Sequence, residues 1–464
     1  MIISETIVAI ATATAPAGVG MVRISGPGAL AIAERILRTK VRVSDQPHAT
    51  LRRMEVIEPE SGEMIDDGLV AVFYSPNSFT GENVVELQGH GGSVTLSRVL
   101  QAALSAGARM AHPGEFSERA FVSGKLDLAQ AEAIASMISA QTVTAQRVAR
   151  RQLSGSLSQA VTEATTAIED ALARIEASID FPEDVGELLT DPAATAVVED
   201  ALSRAQTVAT RLLSTAAYGQ RLGDGVTLVL AGRPNVGKSS LLNALAGRDR
   251  AIVSPIAGTT RDVVEESLNI GGIPVRALDT AGIRETGDTV EKIGVERART
   301  AVSDADVIVA VLDGTEGVTP DHVTFLQSLA GRAVVVAVNK SDTGNVAGTV
   351  LDAQHLLPET PVVTVAARTG AGLPGLTTAI LSHLTNAQTI DTNAPLVTSA
   401  RHTDALQRAT TSLDMALSTL RSGMPAELIA VDAHAAISAL GEITGQTARE
   451  EIIAGIFSRF CIGK

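Results

Sequence analysis

Residues 232–239 read Gly-Arg-Pro-Asn-Val-Gly-Lys-Ser, which fits the phosphate-binding loop pattern, and they follow directly on the apolar run Val226 to Ala231. An apolar run that leads into such a loop predicts a buried strand, a glycine turn and a helix whose first N–H groups face phosphate oxygens. Lys238 would add a positive charge, and the hydroxyl of Ser239 would bind Mg²⁺. The chain is therefore predicted to bind a nucleoside triphosphate. The residues expected to touch it here are Asn235, Val236, Gly237, Lys238, Ser239 and Ser240.

Three further motifs follow in the order that GTPases use. Asp279-Thr280-Ala281-Gly282 comes after the strand-like Val275 to Leu278, where the Asp can hold the metal through water and the Gly amide can face the γ-phosphate. Gly258-Thr259-Thr260-Arg261-Asp262 supplies Thr260 as a second hydroxyl ligand to Mg²⁺. Asn339-Lys340-Ser341-Asp342 comes after Val334 to Val338. A carboxylate at Asp342 can accept hydrogen bonds from the ring N–H and the 2-amino group of guanine, and adenine offers neither, so the nucleotide is predicted to be GTP.

Two positions bear on hydrolysis. Ile283 stands where signalling GTPases place a Gln that orients the attacking water, so hydrolysis needs another residue or a rearrangement. Asn235 precedes Val236-Gly237-Lys238, and its amide oxygen can help hold a monovalent cation against the phosphates. Such a cation would stabilise the transition state as an arginine finger does. The alternative is that Asn235 only caps the loop.

Composition restricts the class of protein. The 464 residues are enough for roughly three domains. The formal charge of −15 argues against a protein that coats nucleic acid by bulk electrostatics. Cys461 is the single cysteine, which excludes an intrachain disulfide and a cysteine-rich metal site. No uninterrupted apolar run approaches membrane-spanning length, so we expect a soluble, cytoplasmic protein without membrane attachment.

The composition and the periodicity of the sequence change along the chain. The segment from Arg221 to Leu384 alternates strand-like and helix-like runs, as a mostly parallel, doubly wound α/β sheet does. Residues 125–217 and 400–456 read as helices, with a break at Ser422-Gly423-Met424-Pro425 in the second stretch. Helical flanks around one α/β unit predict a helical domain into which a GTPase domain is inserted. The first 120 residues carry short β-like runs between Gly and Pro and predict a separate α/β domain.

Motifs outside the GTPase segment resemble the tRNA modification GTPase MnmE (TrmE) family, in the family's order. They are Gly20-Met21-Val22-Arg23-Ile24-Ser25-Gly26, Asn77-Ser78-Phe79-Thr80-Gly81-Glu82, Glu86-Leu87-Gln88-Gly89-His90-Gly91-Gly92, Pro113-Gly114-Glu115-Phe116-Ser117-Glu118-Arg119-Ala120-Phe121, Gly124-Lys125-Leu126-Asp127-Leu128-Ala129-Gln130-Ala131-Glu132 and Phe460-Cys461-Ile462-Gly463-Lys464. The resemblance covers nearly the whole chain.

The resemblance implies a division of the chain and a set of partners. It implies an N-terminal tetrahydrofolate-binding and dimerisation domain of folate-binding-like α/β fold at 1–122, a helical domain at 123–220 and 386–464, and an inserted Ras-like P-loop GTPase domain at 221–385. It also implies a homodimer that forms a heterotetramer or larger complex with the FAD-dependent MnmG (GidA) protein. That complex would add an aminomethyl or carboxymethylaminomethyl group at C5 of the wobble uridine of tRNA. The carbon would come from 5-formyltetrahydrofolate or 5,10-methylenetetrahydrofolate.

The same resemblance assigns roles to individual residues. Glu291 would position the attacking water when two GTPase domains meet across the dimer, and Cys461 would reach the folate site as a nucleophile or acid/base. From the sequence alone, Glu291 would be a surface helix residue and Cys461 a small buried hydrophobe. Folate contacts would lie at Arg23, Glu86, Lys125 and Lys464. K⁺ would lie at Asn235 with Ser254, Ile256 and Thr259, and Mg²⁺ at Ser239 and Thr260.

The chain departs from the family's pattern in two places. The turn before Arg23 reads Ala15-Pro16-Ala17-Gly18-Val19, with fewer glycines than the family's usual turn, which restricts its backbone. The guanine-pocket segment reads Ala366-Ala367-Arg368 where Ser-Ala-Arg is expected, so a hydroxyl interaction is lost while a backbone N–H can still contact the guanine oxygen.

Two other functions compete with tRNA modification. A ribosome-assembly GTPase would share the phosphate loop, Asn235 included, but no KH-type module and no second GTPase copy follow in this sequence. A regulatory switch that only recruits partners would leave Cys461 and the folate residues without any chemical role.

Overall fold

The structure is a computed structural model that describes residues 5–13, 16–181, 183, 191–251, 265–279, 300–385 and 391–463. The chain divides into two compact units. The first comprises residues 1–135 and 438–464, and the second comprises residues 136–437.

The first unit contains a seven-stranded sheet in the order β3-β4-β5-β6-β2-β1-β7, in which β1 and β7 are parallel and the other neighbours antiparallel. These strands agree with the short β-like runs expected in the first 120 residues. The strands are β1 (Ile7–Ile10), β2 (Ala17–Ser25), β3 (Leu37–Arg38), β4 (Leu51–Ile57), β5 (Met64–Phe73), β6 (Val84–Gly91) and β7 (Arg109–Met110).

Helices cover one face of this sheet. The side chains of Val22, Val85 and Leu87 point to the same core as Leu96 and Val99 of the second helix. The residues next to them along the strands, such as Arg23 and Glu86, therefore point to the opposite face of the sheet. The helices of this part of the chain are α1 (Ala29–Ile36), α2 (Ser93–Ser105), α3 (Glu115–Val122) and α4 (Leu128–Ser139).

The second unit begins with long amphipathic helices. Val161, Ala164, Ile168, Leu172 and Ile175 form a buried stripe at helical spacing, which fits the helices expected over residues 125–217. The helices that precede the second sheet are α5 (Val143–Leu153), α6 (Ser156–Asp180), α7 (Pro192–Ser214) and α8 (Ala216–Asp224).

The second sheet has six strands in the order β13-β12-β11-β8-β10-β9, all parallel except the antiparallel pair β9–β10. Leu228 and Leu230 point to one core while Val229 and Ala231 point to the other, so both faces of the sheet are buried. This confirms the doubly wound α/β fold. The strands are β8 (Val226–Ala231), β9 (Glu265–Ile270), β10 (Ile273–Asp279), β11 (Val307–Asp313), β12 (Val334–Asn339) and β13 (Val362–Thr364).

Helices flank this sheet, and the helical part resumes after it. The flanking helices are α9 (Lys238–Asp249), α10 (Pro320–Ser328), α11 (Ala347–Leu356) and α12 (Leu373–Thr385), and those that follow are α13 (Ala400–Arg421), α14 (Ala426–Thr444) and α15 (Glu450–Phe457). α13 packs against α7 although the whole sheet separates them in sequence. This packing is what the predicted insertion of an α/β domain into a helical domain requires.

Candidate functional site

The phosphate loop joins the carboxyl end of β8 to the amino end of α9. Gly237 caps α9 with φ +94°, and Asn235 also lies in the left-handed region at φ +64°. A Cβ on residue 237 would lie 2.3 Å from Nδ2 of Asn339, so the loop approaches the base-binding segment too closely for any side chain there. Ser239 and Ser240 are exposed in the first turn of α9, where the free N–H groups of a helix favour an anion.

Lys238 holds the loop closed. Its side chain is buried, and Nζ donates hydrogen bonds of 2.8 Å to the carbonyls of Gly232 and Arg233. Burial lowers the pKa of Lys238, and the nearby carboxylate of Asp279 opposes that shift. The ammonium group is therefore fixed by the first two residues of the loop that is predicted to cradle the phosphates.

Ser239 and Asp279 form a second pair beside the loop. The Ser239 hydroxyl donates to Oδ2 of Asp279 over 2.5 Å, and Asp279 is buried at the end of β10. A hydroxyl and a carboxylate oxygen are the hard ligands that Mg²⁺ prefers, and both are placed next to the phosphate loop. The donor set of the described residues therefore fits Mg²⁺.

Asn339 joins the phosphate loop to the segment after β13. Its Nδ2 donates a 2.9 Å hydrogen bond to the carbonyl of Val236, and its Oδ1 accepts a 3.1 Å hydrogen bond from the amide of Ala367. Ala366 is held separately, through its own N–H to the carbonyl of Ala371. The loop predicted to touch phosphates and the segment predicted to touch guanine are thus connected through one buried side chain.

Lys340 has a partner that the sequence reasoning missed. Its Nζ lies 2.5 Å from Oδ2 of Asp313, at the end of β11, and the hydroxyl of Thr315 donates to Oδ1 over 2.7 Å. Burial would raise the pKa of Asp313, but the hydrogen bonds from Lys340 and Thr315 outweigh it and the pKa lies below its usual value. An Asp that directly follows an all-apolar strand, as Asp313 follows Val307 to Leu312, is the sequence signal that would have found it.

Asp342 and Arg368 are paired. Arg368 donates to Oδ2 of Asp342 from Nε at 3.1 Å and from Nη2 at 2.9 Å. The Asp342 side chain is only 17% exposed, whereas that of Arg368 is 79% exposed. The carboxylate of Asp342, which is predicted to accept from guanine, is therefore hydrogen-bonded to a guanidinium group in this structure.

The proposed folate residues lie in the first unit. Arg23 of β2 and Glu86 of β6 are paired in register, and Nε of Arg23 donates to Oε1 of Glu86 over 2.9 Å. The guanidinium carbon of Arg23 lies 5.7 Å from the ring centres of both Phe79 and Phe116, within cation–π range. The two aromatic side chains were not among the predicted site residues.

The C-terminal tail reaches the same place. Nη1 of Arg23 lies 3.5 Å from the carbonyl of Gly463, which brings the exposed Cys461 into the neighbourhood of β2. Gly463 has φ +95°, and a Cβ there would lie 2.4 Å from the carbonyl of Ile10, so the tail lies directly against β1. Lys125 is exposed, with its Cε 3.7 Å from the position a Cβ of Gly81 would take.

Several predicted site residues lie outside the described residues. They are Ser254, Ile256, Thr259, Thr260, Thr280, Ala281, Gly282, Glu291 and Lys464. Their predicted roles stay predictions.

Comparison with known proteins agrees with this architecture. The model of the MnmE helical domain matches residues 128–461, and the model of the GTP-binding protein TrmE N-terminus matches residues 6–125. The chain belongs to the tRNA modification GTPase MnmE family. It is 44% identical to the tRNA modification GTPase MnmE of Symbiobacterium thermophilum, over 99% of each chain, and 40% identical to that of Lacticaseibacillus paracasei, over 99% of this chain and 98% of the other. The family recognised from the sequence motifs is confirmed, and a GTPase role in tRNA modification belongs to that family.

Two solved structures each match a part of the chain. A crystal structure of an Aquifex aeolicus Era variant bound to GDP.AlF4- is 31% identical and covers 41% of this chain and 67% of its own, with a TM-score of 0.30. The G domain of the T. maritima FeoB iron transporter is 30% identical and covers 35% of this chain and 99% of its own, with a TM-score of 0.26.

Within the part of the chain that the structure describes, no helix combines sufficient length with sufficient apolar character to cross a bilayer.

Proposed function

We propose that this chain hydrolyses GTP in an Mg²⁺-dependent reaction and acts in the modification of tRNA. The observation that carries the proposal is a convergence at one edge of the second sheet. Lys238 follows β8, Asp279 ends β10 and Asn339 ends β12, so the predicted phosphate, metal and base contacts meet at the carboxyl ends of parallel strands. Ligands of open α/β sheets bind at that edge.

The base specificity rests on Asp342. A half-buried carboxylate needs hydrogen-bond donors, and guanine brings two in parallel while adenine brings none in that position. A bound adenine would leave the carboxylate without donors from the base, which is the kind of mismatch that gives strong discrimination.

K⁺ activation and dimer-dependent catalysis are part of the proposal. The exposed side chain of Asn235, within the phosphate loop, supports a monovalent cation site there. Ser254, Ile256 and Thr259 would complete that site, Thr260 would complete the Mg²⁺ site, and Glu291 would position water. These five assignments rest on the family resemblance.

A folate site in the first unit is proposed on the geometry around Arg23. Glu86 can accept hydrogen bonds from the aminopyrimidinone ring of a folate by the geometry in which Asp342 accepts from guanine. Phe79 and Phe116 offer aromatic surface beside it. A bound one-carbon folate would supply the carbon that is transferred. The exposed thiol of Cys461 can act there as a nucleophile or proton donor.

The remaining assignments rest on the resemblance alone. They are the homodimer, the complex with an FAD-dependent partner, and the product, a tRNA with an aminomethyl or carboxymethylaminomethyl group at C5 of the wobble uridine. The three-domain division at residues 122, 220 and 385 rests on the sequence pattern as well as on the resemblance.

Nucleoside mass spectrometry of tRNA tests the proposal. Cells that lack the chain should lose the modified wobble uridine, and the wild type should restore it. Cys461→Ser and Glu291→Ala should each fail to restore it, while the matched control Ser458→Ala, an exposed polar residue of the same tail, should succeed. Purified Cys461→Ser should still hydrolyse GTP, which would show that GTP hydrolysis does not require the thiol.

An unchanged nucleoside profile in the deletion strain would overturn the tRNA role. Ribosome assembly would then be the leading function. Restoration by Cys461→Ser would leave the GTPase assignment standing and remove the thiol from the chemistry.

A further inference from the structure

Arg368 occupies the acceptor that guanine needs. Both of its hydrogen bonds, from Nε and Nη2, converge on Oδ2 of Asp342, and within the described residues the carboxylate accepts no other hydrogen bond. The burial of the two partners is unequal, since the carboxylate is largely enclosed and the guanidinium is largely in water. The carboxylate therefore gains a counter-charge, and the arginine can leave it for solvent at small cost.

The guanidinium group is chemically similar to the ligand. Nε–H and Nη2–H form a planar, parallel pair of donors, and the ring N–H and 2-amino group of guanine form another. Either pair of donors can hydrogen-bond to the two oxygens of a carboxylate. Both pairs cannot make their full set of hydrogen bonds to the same carboxylate at once. Binding of guanine through Asp342 thus requires Arg368 to release at least part of its contact.

We propose that Arg368 is an internal competitor of guanine at Asp342 and sets how fast nucleotide binds. This inference rests on the proposed function, since it assumes that Asp342 reads guanine. The competent site is the fraction of molecules in which Arg368 has swung away, and the apparent affinity falls by that fraction. Competition of this kind slows association and leaves dissociation unchanged, because the arginine is already displaced once the nucleotide is bound.

The size of the effect follows from the exposure of the pair. Exposed ion pairs contribute about 0.2–1 kcal/mol, which corresponds to a change of roughly 1.4- to 5-fold in an equilibrium constant. The removal of Arg368 should therefore raise the association rate constant for GDP about 1.4- to 5-fold. The difference from wild type should shrink as salt screens the exposed guanidinium.

Stopped-flow binding of N-methylanthraniloyl-GDP to the full chain measures both rate constants directly. Arg368→Gln removes the charge and keeps much of the side-chain length, and it should bind faster than wild type with an unchanged dissociation rate. Arg204→Gln is the matched control. It removes the same charge from an exposed arginine of α7, outside the nucleotide site, whose ion-pair partner is Asp200, and it should bind no faster than wild type.

A double-mutant cycle isolates the pair itself. Asp342→Asn replaces one acceptor by an N–H₂ donor, which matches the 2-oxo group of xanthine, so this variant is measured with xanthosine diphosphate. In that background Arg368 has no carboxylate to hold. Arg368→Gln should then change the association rate by less than it does in the Asp342 background.

Slower or unchanged association of Arg368→Gln would overturn the inference, and so would an equal gain in both backgrounds or in Arg204→Gln. These outcomes leave the proposed function intact as long as wild type binds GDP in preference to ADP. If wild type does not bind GDP, the proposed function fails and the inference fails with it.

Discussion

Nδ2 of Asn339 donates a 2.9 Å hydrogen bond to the carbonyl of Val236, and the same side chain accepts from the amide of Ala367. Asn339 is buried, so its removal leaves a buried carbonyl and a part-buried amide without this partner. The segment predicted to contact the base and the phosphate loop are therefore positioned together rather than independently.

Asn339→Ala should lower the free energy of unfolding of the second unit by about 1–3 kcal/mol, the cost of leaving such groups unpaired. GDP affinity should fall further than stability does, because both loops lose their common support. Calorimetric titration with GDP and thermal denaturation check the two effects. Asn345→Ala, an exposed residue whose side chain accepts one turn hydrogen bond, is the control and should leave GDP affinity unchanged.

Gly237→Ala should abolish nucleotide binding. The position has φ +94°, and the added Cβ would lie 2.3 Å from Nδ2 of Asn339, so the methyl group must displace the side chain that supports the loop. Gly247 lies within α9, the helix that Gly237 caps, and a Cβ there meets nothing within 4 Å. Gly247→Ala should therefore leave stability unchanged or raise it slightly through helix propensity. Equal GDP affinity in Gly237→Ala and wild type would show that the loop rearranges freely.

Secondary structure that depends on a single stretch of sequence could be predicted, whereas contacts between segments that are distant in sequence could not. β8 coincides with the run Val226 to Ala231, because a strand buried on both faces is continuously apolar and ends at a glycine. The hydrogen bonds of Asn339 and the pairing of Lys340 with Asp313 join segments far apart in sequence, and no periodicity encodes them. Phe79 and Phe116, which lie beside Arg23, were also not predicted as site residues. A sequence does not distinguish an aromatic residue of the core from one of a binding site.

The first unit should lose stability in acid through Glu115. Burial alone would raise the pKa of this carboxyl, but hydrogen bonds from Arg109, the amide of His112 and Arg119 outweigh it and set the pKa at about 2, against 4.5 for the free group. A lowered carboxylate pKa contributes stability that is complete above pH 4.5 and is lost as the pH falls from 4.5 toward 2. Wild type should therefore become less stable in that window.

Glu115→Gln should be less stable than wild type at pH 7, by about 3–5 kcal/mol for a broken buried pair, because Arg119 is buried against it. The difference should narrow between pH 4.5 and 2. The chain has no Trp and two Tyr, one in each unit, so Tyr74 fluorescence in a Tyr218→Phe background follows the first unit alone. Glu63→Gln, an exposed pair with Arg98, is the control and should change stability by less than about 1 kcal/mol. A constant difference across the pH range would contradict the assignment.

Hydrolysis of GTP should be faster in K⁺ than in Na⁺ at equal ionic strength, because Na⁺ is smaller and would be poorly coordinated by a loop sized for K⁺. A cation against the phosphates acts as an arginine finger does, an effect worth about 10³- to 10⁵-fold at its fullest. Asn235 has φ +64°, so Asn235→Gly removes the carboxamide without backbone strain where alanine would add it.

Asn235→Gly should bind GDP normally and hydrolyse GTP at one slow rate in both salts, whereas Asn235→Asp keeps a ligand oxygen and should keep the K⁺ preference. Steady-state phosphate release in KCl and NaCl measures all three proteins. Equal rates for wild type in the two salts, at concentrations where the dimer is present, would remove the cation from the mechanism. A K⁺ preference that survives in Asn235→Gly would instead mean that other residues hold the ion and that Asn235 only caps the loop.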